Sequence, residues 1–148
     1  MDAAAFRRGV RDVSPLLLGI VPFGIVAGIA AVDAGLSLPQ AVGMSVVVFA
    51  GASQLAALEL LGKDAPLAVV VVTALVINLR IMMYSASIAP YFQSFSVRVR
   101  SGLAYLLTDQ AYALSISQYR SSADVDRVAY YTGAASTLWA VWLVTTAV

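Results

Sequence analysis

Five long apolar segments, separated by short polar ones, account for nearly the whole chain. Only 11% of the residues are charged, whereas a soluble domain carries about 25%. Each segment has roughly the 20 residues that an α-helix needs to cross a bilayer. The sequence therefore predicts an all-α, polytopic transmembrane helical bundle, a single domain over residues 1–148. The predicted spans are roughly 15–34, 39–61, 66–90, 101–118 and 128–148.

The composition also limits the chemistry. The chain has no histidine and no cysteine, which removes the usual proton carrier near neutral pH and the thiolate metal sites. Its nine basic residues are scattered and form no stripe, so we expect no nucleic-acid partner. We find no nucleophile–base set, metal-ligand cluster or phosphate-binding loop. The sequence thus predicts a protein that is not an enzyme and holds no cofactor and no metal.

Basic residues indicate the orientation of the spans. Residues 1–13 are expected to form a short polar lead, and basic residues favour the cytoplasmic side of a membrane. With five simple crossings, Arg98 and Arg100 lie outside and six basic residues lie inside. The six are Arg7, Arg8, Arg11, Lys63, Arg120 and Arg127. The pattern predicts a cytoplasmic N-terminus, although a re-entrant second span would bring Arg98 and Arg100 inside and weaken the count to five against three.

Two predicted spans contain residues that interrupt helices. Pro22-Phe23-Gly24 is expected to kink or open the first span, because proline removes a backbone donor and clashes with the preceding turn. The second span contains Gly51, Ser53 and Gln54 in a cluster of small and polar residues. Such a cluster favours either close helix packing or a local break that lines a cavity. Both alternatives remain open from the sequence.

Arg80 is an arginine in the interior of the third predicted span. A charge at that depth is costly unless it faces a partner or a cavity, so it marks a functional hypothesis. Counting from the loop shared by spans three and four places Arg80 roughly 16 Å and Asp109 roughly 12 Å from one membrane face. Both positions are near the middle of a core about 30 Å thick. We therefore predict an Arg80–Asp109 ion pair.

Polar residues recur on one face of each of these two spans. They are Thr73, Arg80, Tyr84, Ser87 and Tyr91 on the third, and Tyr105, Thr108, Asp109 and Tyr112 on the fourth. We expect the two stripes to face each other and line a cavity, whereas Asn78 and Ser85 are expected to contact another helix. The alternative is a structural ion pair that only fixes the register of the two helices.

An ordered series of motifs resembles the AzlC family. The motifs are Pro22-Phe23-Gly24, Phe49-Ala50-Gly51-Ala52-Ser53-Gln54 with Ala56-Ala57, Asn78-Leu79-Arg80 with Tyr84-Ser85-Ala86-Ser87 and Ala89-Pro90, Leu107-Thr108-Asp109, and Leu138-Trp139 with Trp142. The match runs from about Arg8 to Val148. It implies secondary-active export of branched-chain amino acids across the bacterial inner membrane, by a multi-pass protein coupled to an ion or proton gradient.

The resemblance also implies a small hydrophobic membrane subunit of the AzlD type as partner, besides the amino-acid substrate and the lipid bilayer. It implies a longer chain, of which residues 1–148 would be the N-terminal two-thirds. Two positions depart from the family pattern: Ile81 stands where histidine is frequent, and Gln110 where glutamate is frequent. If either family residue carries protons, coupling here would depend on Asp109 alone.

For export, the substrate carboxylate is expected at a helix N-terminus exposed by a break, near Pro22 or near Gly51. Arg80 is a second candidate, because guanidinium binds carboxylates in a fork. Asp109 would hold the ammonium or carry a coupling proton. The further candidate site residues are Gly24, Ser53, Gln54, Asn78, Tyr84 and Tyr112, with Met82 or Met83 lining the pocket for the apolar side chain. The alternatives are a non-transporting scaffold or partner-binding subunit, and a passive pore.

Overall fold

The computed structural model describes residues 2–121 and 125–147, in which every regular element is a helix and no strand occurs. The helices are α1 (Ala3–Val13), α2 (Leu17–Asp33), α3 (Leu38–Val48), α4 (Gly51–Leu61), α5 (Leu67–Ile88), α6 (Val97–Tyr105), α7 (Asp109–Ser121) and α8 (Arg127–Thr146). A 3-10 turn at Ser14–Leu16 joins α1 to α2, and another at Ala89–Phe92 follows α5. The all-α prediction is confirmed.

Within the described residues, two helical stretches are long and apolar enough to cross a membrane, Ala3–Asp33 and Leu67–Phe92. Large apolar side chains are exposed along α5, as expected of a surface that faces lipid. They are Leu67, Val69, Val71, Val72, Leu75, Val76, Leu79, Met82 and Met83. Met82 and Met83 are among these exposed residues, and their part in a substrate pocket stays a prediction. The five membrane crossings stay a prediction.

The helices group into two compact units. The first comprises the described residues of 2–18 and 81–139, and the second those of 19–80 and 140–147. The boundary falls within α2, α5 and α8, so each of these helices contributes residues to both units. Arg80 is the last residue of its segment in the second unit, whereas Asp109 belongs to the first. Their predicted ion pair stays a prediction.

In the first unit, the N-terminal segment is a helix and not merely a polar lead. One face of α1 buries Ala5, Gly9 and Val13, which recur every four residues. The Tyr130 hydroxyl donates to the Asp12 carboxylate at 2.9 Å, and the Asp2 N–H donates to the Asp126 carboxylate at 2.9 Å. The polar lead is thus an amphipathic helix, in which Arg7, Arg8 and Arg11 occupy the exposed face.

An aromatic cluster forms much of the core of the first unit. Tyr130 and Tyr131 of α8 are each 1% exposed, and Phe92 packs edge-on against Tyr131 at 5.6 Å between ring centres. The hydroxyl groups of Tyr131 and Tyr119 have hydrogen-bond partners, as burial requires. Tyr131 donates to the Leu103 carbonyl at 2.8 Å, and Tyr119 donates to the Arg127 carbonyl at 2.7 Å. These bonds fix α6 and α7 against the start of α8.

In the second unit, α2, α3 and α4 pack through small residues. Ala31, Ala41 and Leu58 are nearly inaccessible and form one cluster. A short turn joins α2 to α3, and in it Gly35 adopts a φ of 78°. The side-chain oxygen of Gln40 accepts from the Ser37 N–H at 2.8 Å, which helps to start α3 after this turn.

Two predicted spans are each divided into two helices. The second span is broken at Phe49–Ala50, between α3 and α4, so the local break proposed for it is found. The fourth is broken at residues 106–108, between α6 and α7, and its first helix begins earlier than predicted, at Val97. The fourth predicted span is therefore not one continuous helix in the structure. By contrast, α2 continues through Pro22, so no helix begins there.

Candidate functional site

The break in the second unit places a helix start inside an apolar segment. After α3 ends, Phe49 adopts a φ of 28° and a ψ of 51°, and Ala50 has a φ of −146° and a ψ of 85°. A positive φ at a residue other than glycine costs about 1–3 kcal/mol and persists only where the surroundings hold it. Phe49 is 6% exposed. The packing around this residue therefore fixes the point at which α4 begins.

The start of α4 has no cap from a side chain. Ala50, the N-cap residue, carries no side-chain acceptor for the first N–H groups, and the first turn holds no acidic residue. The first N–H groups of a helix lack acceptors within the helix and carry partial positive charge. An uncapped helix start is therefore suited to an anionic group such as a carboxylate.

Gln54 links the two sides of this break. Its side chain is 1% exposed, and its amide nitrogen donates to the Ser45 hydroxyl at 2.8 Å, which joins α4 to α3. Its amide oxygen accepts from the indole N–H of Trp142 at 3.3 Å, which joins α4 to α8. A buried amide with both ends bonded favours one arrangement of the three helices.

Ser53 and Asn78 add a second connection, to α5. The Asn78 amide nitrogen donates to the Ser53 hydroxyl at 3.0 Å, and that hydroxyl donates to the Ala50 carbonyl at 2.9 Å. The prediction that Asn78 contacts another helix is confirmed. The Asn78 amide oxygen is buried and has no hydrogen-bond partner among the residues that the structure describes. It is thus an acceptor that a ligand N–H group can use.

Glycines let α2 approach this site closely. A Cβ atom on Gly51 would lie 2.7 Å from the Phe23 ring and 3.0 Å from the Trp142 ring, and one on Gly24 would overlap the Thr145 hydroxyl. The Phe23 and Trp142 rings pack at 5.6 Å between centres. Five predicted site residues therefore meet in the second unit. They are Gly24, Gly51, Ser53, Gln54 and Asn78, whereas Pro22 lies within continuous α2.

The break in the first unit has a different chemistry. Asp109 is the first residue of α7, and the Thr108 hydroxyl accepts from the Ala111 N–H at 3.3 Å. This start is therefore capped by a side chain, and the Asp109 carboxylate lies where the helix dipole favours negative charge.

Tyr112 lies one turn after Asp109 and contacts α5. Its ring stacks on that of Tyr84, with 4.5 Å between centres and 15° between planes. Its hydroxyl and that of Ser87 are 2.8 Å apart. The predicted facing of these parts of the two polar stripes is confirmed. A role for Tyr84, Tyr112 or Asp109 in transport stays a prediction, as does that of half-buried Arg80.

Ser45 and Trp142 were not predicted as partners of Gln54, and Thr108 was not predicted as a cap. Ser45 carried no local signal, because its contact depends on how the chain turns at Phe49. Thr108 did carry one, since threonine followed by aspartate is typical of a helix start. Because apolar residues precede and follow this pair, Thr108 and Asp109 were assigned to the interior of a span.

Comparison with known proteins decides the family. The AzlC protein family matches the chain over residues 15–148, which include every candidate site residue named above. The chain belongs to the AzlC family. A Helicobacter pylori relative, an uncharacterized membrane protein, is 34% identical over 113 residues, which are 74% of this chain and 49% of that protein.

Two further relatives of this AzlC-family chain are membrane proteins. An uncharacterized membrane protein of Archaeoglobus fulgidus is 31% identical over 115 residues, 78% of this chain and 50% of the relative. The inner membrane protein YgaZ of Escherichia coli is 23% identical over 142 residues, 95% of this chain and 58% of the relative. The chain spans about half the length of the curated relatives it matches. No solved structure matches it.

That these relatives are membrane proteins agrees with the long apolar helices of the structure. The AzlC-family chain is an all-α membrane protein, with its candidate binding groups at a helix start that interrupts an apolar segment.

Proposed function

We propose that this AzlC-family protein exports branched-chain or similar apolar amino acids across the bacterial inner membrane as a multi-pass secondary transporter. It acts by binding and release, without catalysis. The observation that carries this proposal is the uncapped start of α4 in the second unit, between the buried Ser45–Gln54–Trp142 bonds and the Ser53–Asn78 bond. Discontinuous helices provide such binding sites in other secondary transporters.

The site supplies groups for each part of an amino acid. The N–H groups at the start of α4 bind the carboxylate, since they carry partial positive charge and no side chain caps them. The Asn78 amide oxygen accepts from the ammonium. The Phe23 and Trp142 rings both pack close to Gly51 and provide apolar contact for the aliphatic side chain.

Coupling to a proton gradient is assigned to Asp109. The chain has no histidine, so a carboxylate is the side chain left for carrying protons near neutral pH. Asp109 belongs to a motif that resembles the family pattern, and it begins α7 inside a predicted span. The resemblance also assigns a small hydrophobic membrane subunit as partner.

The test measures the release of labelled leucine from preloaded cells that express the protein with the small subunit. The expected result is saturable efflux, which Ala50→Asp reduces by about tenfold or more, because a fixed carboxylate competes for the same N–H groups. Ser37→Asp is the matched control, since Ser37 precedes α3 and is exposed. That variant is expected to keep normal efflux.

Other outcomes contradict the proposal. Efflux that rises linearly with leucine concentration identifies a passive pore. Unchanged release on expression of the protein identifies a non-transporting scaffold. Equal losses in Ala50→Asp and Ser37→Asp show that the start of α4 has no special part in binding.

A further inference from the structure

A cavity in the first unit is separate from the groups assigned to the substrate. Its volume is about 300 Å³, and it is bounded by the end of α5, the following 3-10 turn, α6 and the first turns of α8. Its interior is lined by apolar side chains. Ile88, Phe92, Leu103 and Leu107 are among them, and each is at most 6% exposed. This volume is at the lower end of the range of about 300–1,000 Å³ for small-molecule sites.

The mouth of the cavity carries a basic side chain, that of Arg100. Arg100 and Ser101, both exposed on α6, lie at its edge, and Arg98 is exposed two residues earlier. None of the side chains that line it among the described residues is acidic. An amino acid bound here would have no counter-charge for its ammonium. An anion with an aliphatic tail, by contrast, would pair its charge with Arg100 and place its tail among the apolar side chains.

We propose that this cavity binds an anionic phospholipid, with one acyl chain in the interior and the headgroup phosphate on Arg100. Guanidinium binds phosphate oxygens in a bidentate fork, and basic pockets between membrane helices bind anionic headgroups. The sequence places the start of α6 at a membrane face, which is the level of the headgroups. The site is independent of the proposed export function.

The test titrates the protein, purified in detergent, with phosphatidylglycerol, phosphatidylcholine, inorganic phosphate or leucine. Bound lipid is counted by native mass spectrometry, and the unfolding temperature is followed in parallel. Phosphatidylglycerol is expected to bind and raise the unfolding temperature, and the other three to have little effect. Inorganic phosphate alone lacks the acyl chain, so an equal shift with phosphate would overturn the proposal, as would an equal shift with phosphatidylcholine or leucine.

Charge variants separate the site from general attraction to anionic lipid. Arg100→Gln is expected to weaken phosphatidylglycerol binding by about tenfold to a hundredfold, the effect of losing charge-assisted hydrogen bonds. Arg98→Gln removes the same charge outside the cavity, and is expected to weaken binding by about fivefold at most. Equal losses in the two variants would contradict a specific site.

Shape variants test the apolar interior without changing the charge. Ala104 lines the cavity, so Ala104→Phe is expected to reduce lipid binding by about tenfold. Gly102 lies on the same helix, and a Cβ atom there meets nothing within 4 Å, so Gly102→Phe is the control and is expected to bind normally. Normal binding by folded Ala104→Phe would exclude the cavity as the acyl-chain site, and the arginine pair remains decisive if this variant does not fold.

Discussion

Helices α4 and α7 both begin in the interior of a predicted span, yet their first turns differ in charge and in capping. The start of α4 follows an alanine and contains no acidic residue, and its surroundings are held by buried bonds of Gln54 and Ser53. The start of α7 is capped by Thr108 and carries Asp109. The two helix starts therefore differ in their electrostatics.

This difference indicates different tasks. An uncapped start attracts an anion, whereas a start with its own carboxylate is already satisfied and has a proton-binding group besides. We therefore expect substitutions at the start of α7 to affect coupling and local helix stability. Substitutions at the start of α4 should affect substrate binding and the packing of the second unit.

The largest effect is expected from Asp109→Asn. This variant keeps the shape of the side chain but cannot exchange a proton, so proton-coupled efflux of leucine from liposomes should fall by about a hundredfold or more. The protein should remain in the membrane. Asp33→Asn, at the end of α2, is the matched control and should transport normally. Normal rates in Asp109→Asn liposomes would end the distinction between the two helix starts.

Gln54→Leu tests whether side-chain bonds hold the start of α4. Leucine fills a similar volume but leaves the Ser45 hydroxyl and the Trp142 indole without their partner. The free energy of unfolding should fall by about 2–4 kcal/mol, as measured by denaturation in mild detergent. Trp142→Phe, which removes one of the two bonds, should cost about 1 kcal/mol. A Gln54→Leu protein as stable as the wild type would show that packing alone defines the break.

Thr108→Ala tests the cap on α7. Loss of a threonine cap should lower the free energy of unfolding by about 1 kcal/mol. Thr108→Ser keeps the hydroxyl, and should restore most of that loss. Equal stability of the alanine and serine variants would mean that Thr108 does not cap the helix, and α7 would then resemble α4.

The smallest effect concerns Asp126, which caps the start of α8. Because Asp126 lies between two predicted spans, it is a reference from outside the membrane for the starts of α4 and α7. Hydrogen bonds from the Ala129 and Asp2 N–H groups lower the pKa of its carboxyl. A carboxyl whose pKa is lowered on folding stabilises the folded state at any pH above its unfolded-state pKa, which is about 3.9. This stability is lost as the pH falls through the folded-state pKa.

The unfolding temperature of the wild type should therefore decrease further than that of Asp126→Asn on acidification below about pH 4. Asparagine caps helices about as well as aspartate, so the two proteins should be similar at pH 7. Parallel pH profiles would show that the ionised carboxyl contributes nothing to the folded state.

The sequence predicted the helical class because apolar length alone determines it. It also located the groups around α4. The polar side chains of Ser53 and Gln54 need hydrogen-bond partners in an apolar segment, and small residues such as Gly51 allow helices to approach closely. It did not predict the ends of the broken helices, which depend on tertiary contacts. The Ser45–Gln54 bond exists only because Phe49 turns the chain, and α1 became a helix because its buried face packs against α8.

The bond between Trp142 and Gln54 has a spectroscopic consequence. The chain contains two tryptophans, and Trp139 instead donates to the Tyr105 hydroxyl in the first unit. Replacing Trp139 with phenylalanine leaves Trp142 as the only indole, and its N–H bonds to a residue in the first turns of α4. The emission of this single fluorophore would then be an intrinsic optical signal of a ligand arriving at that helix start, with no dye attached.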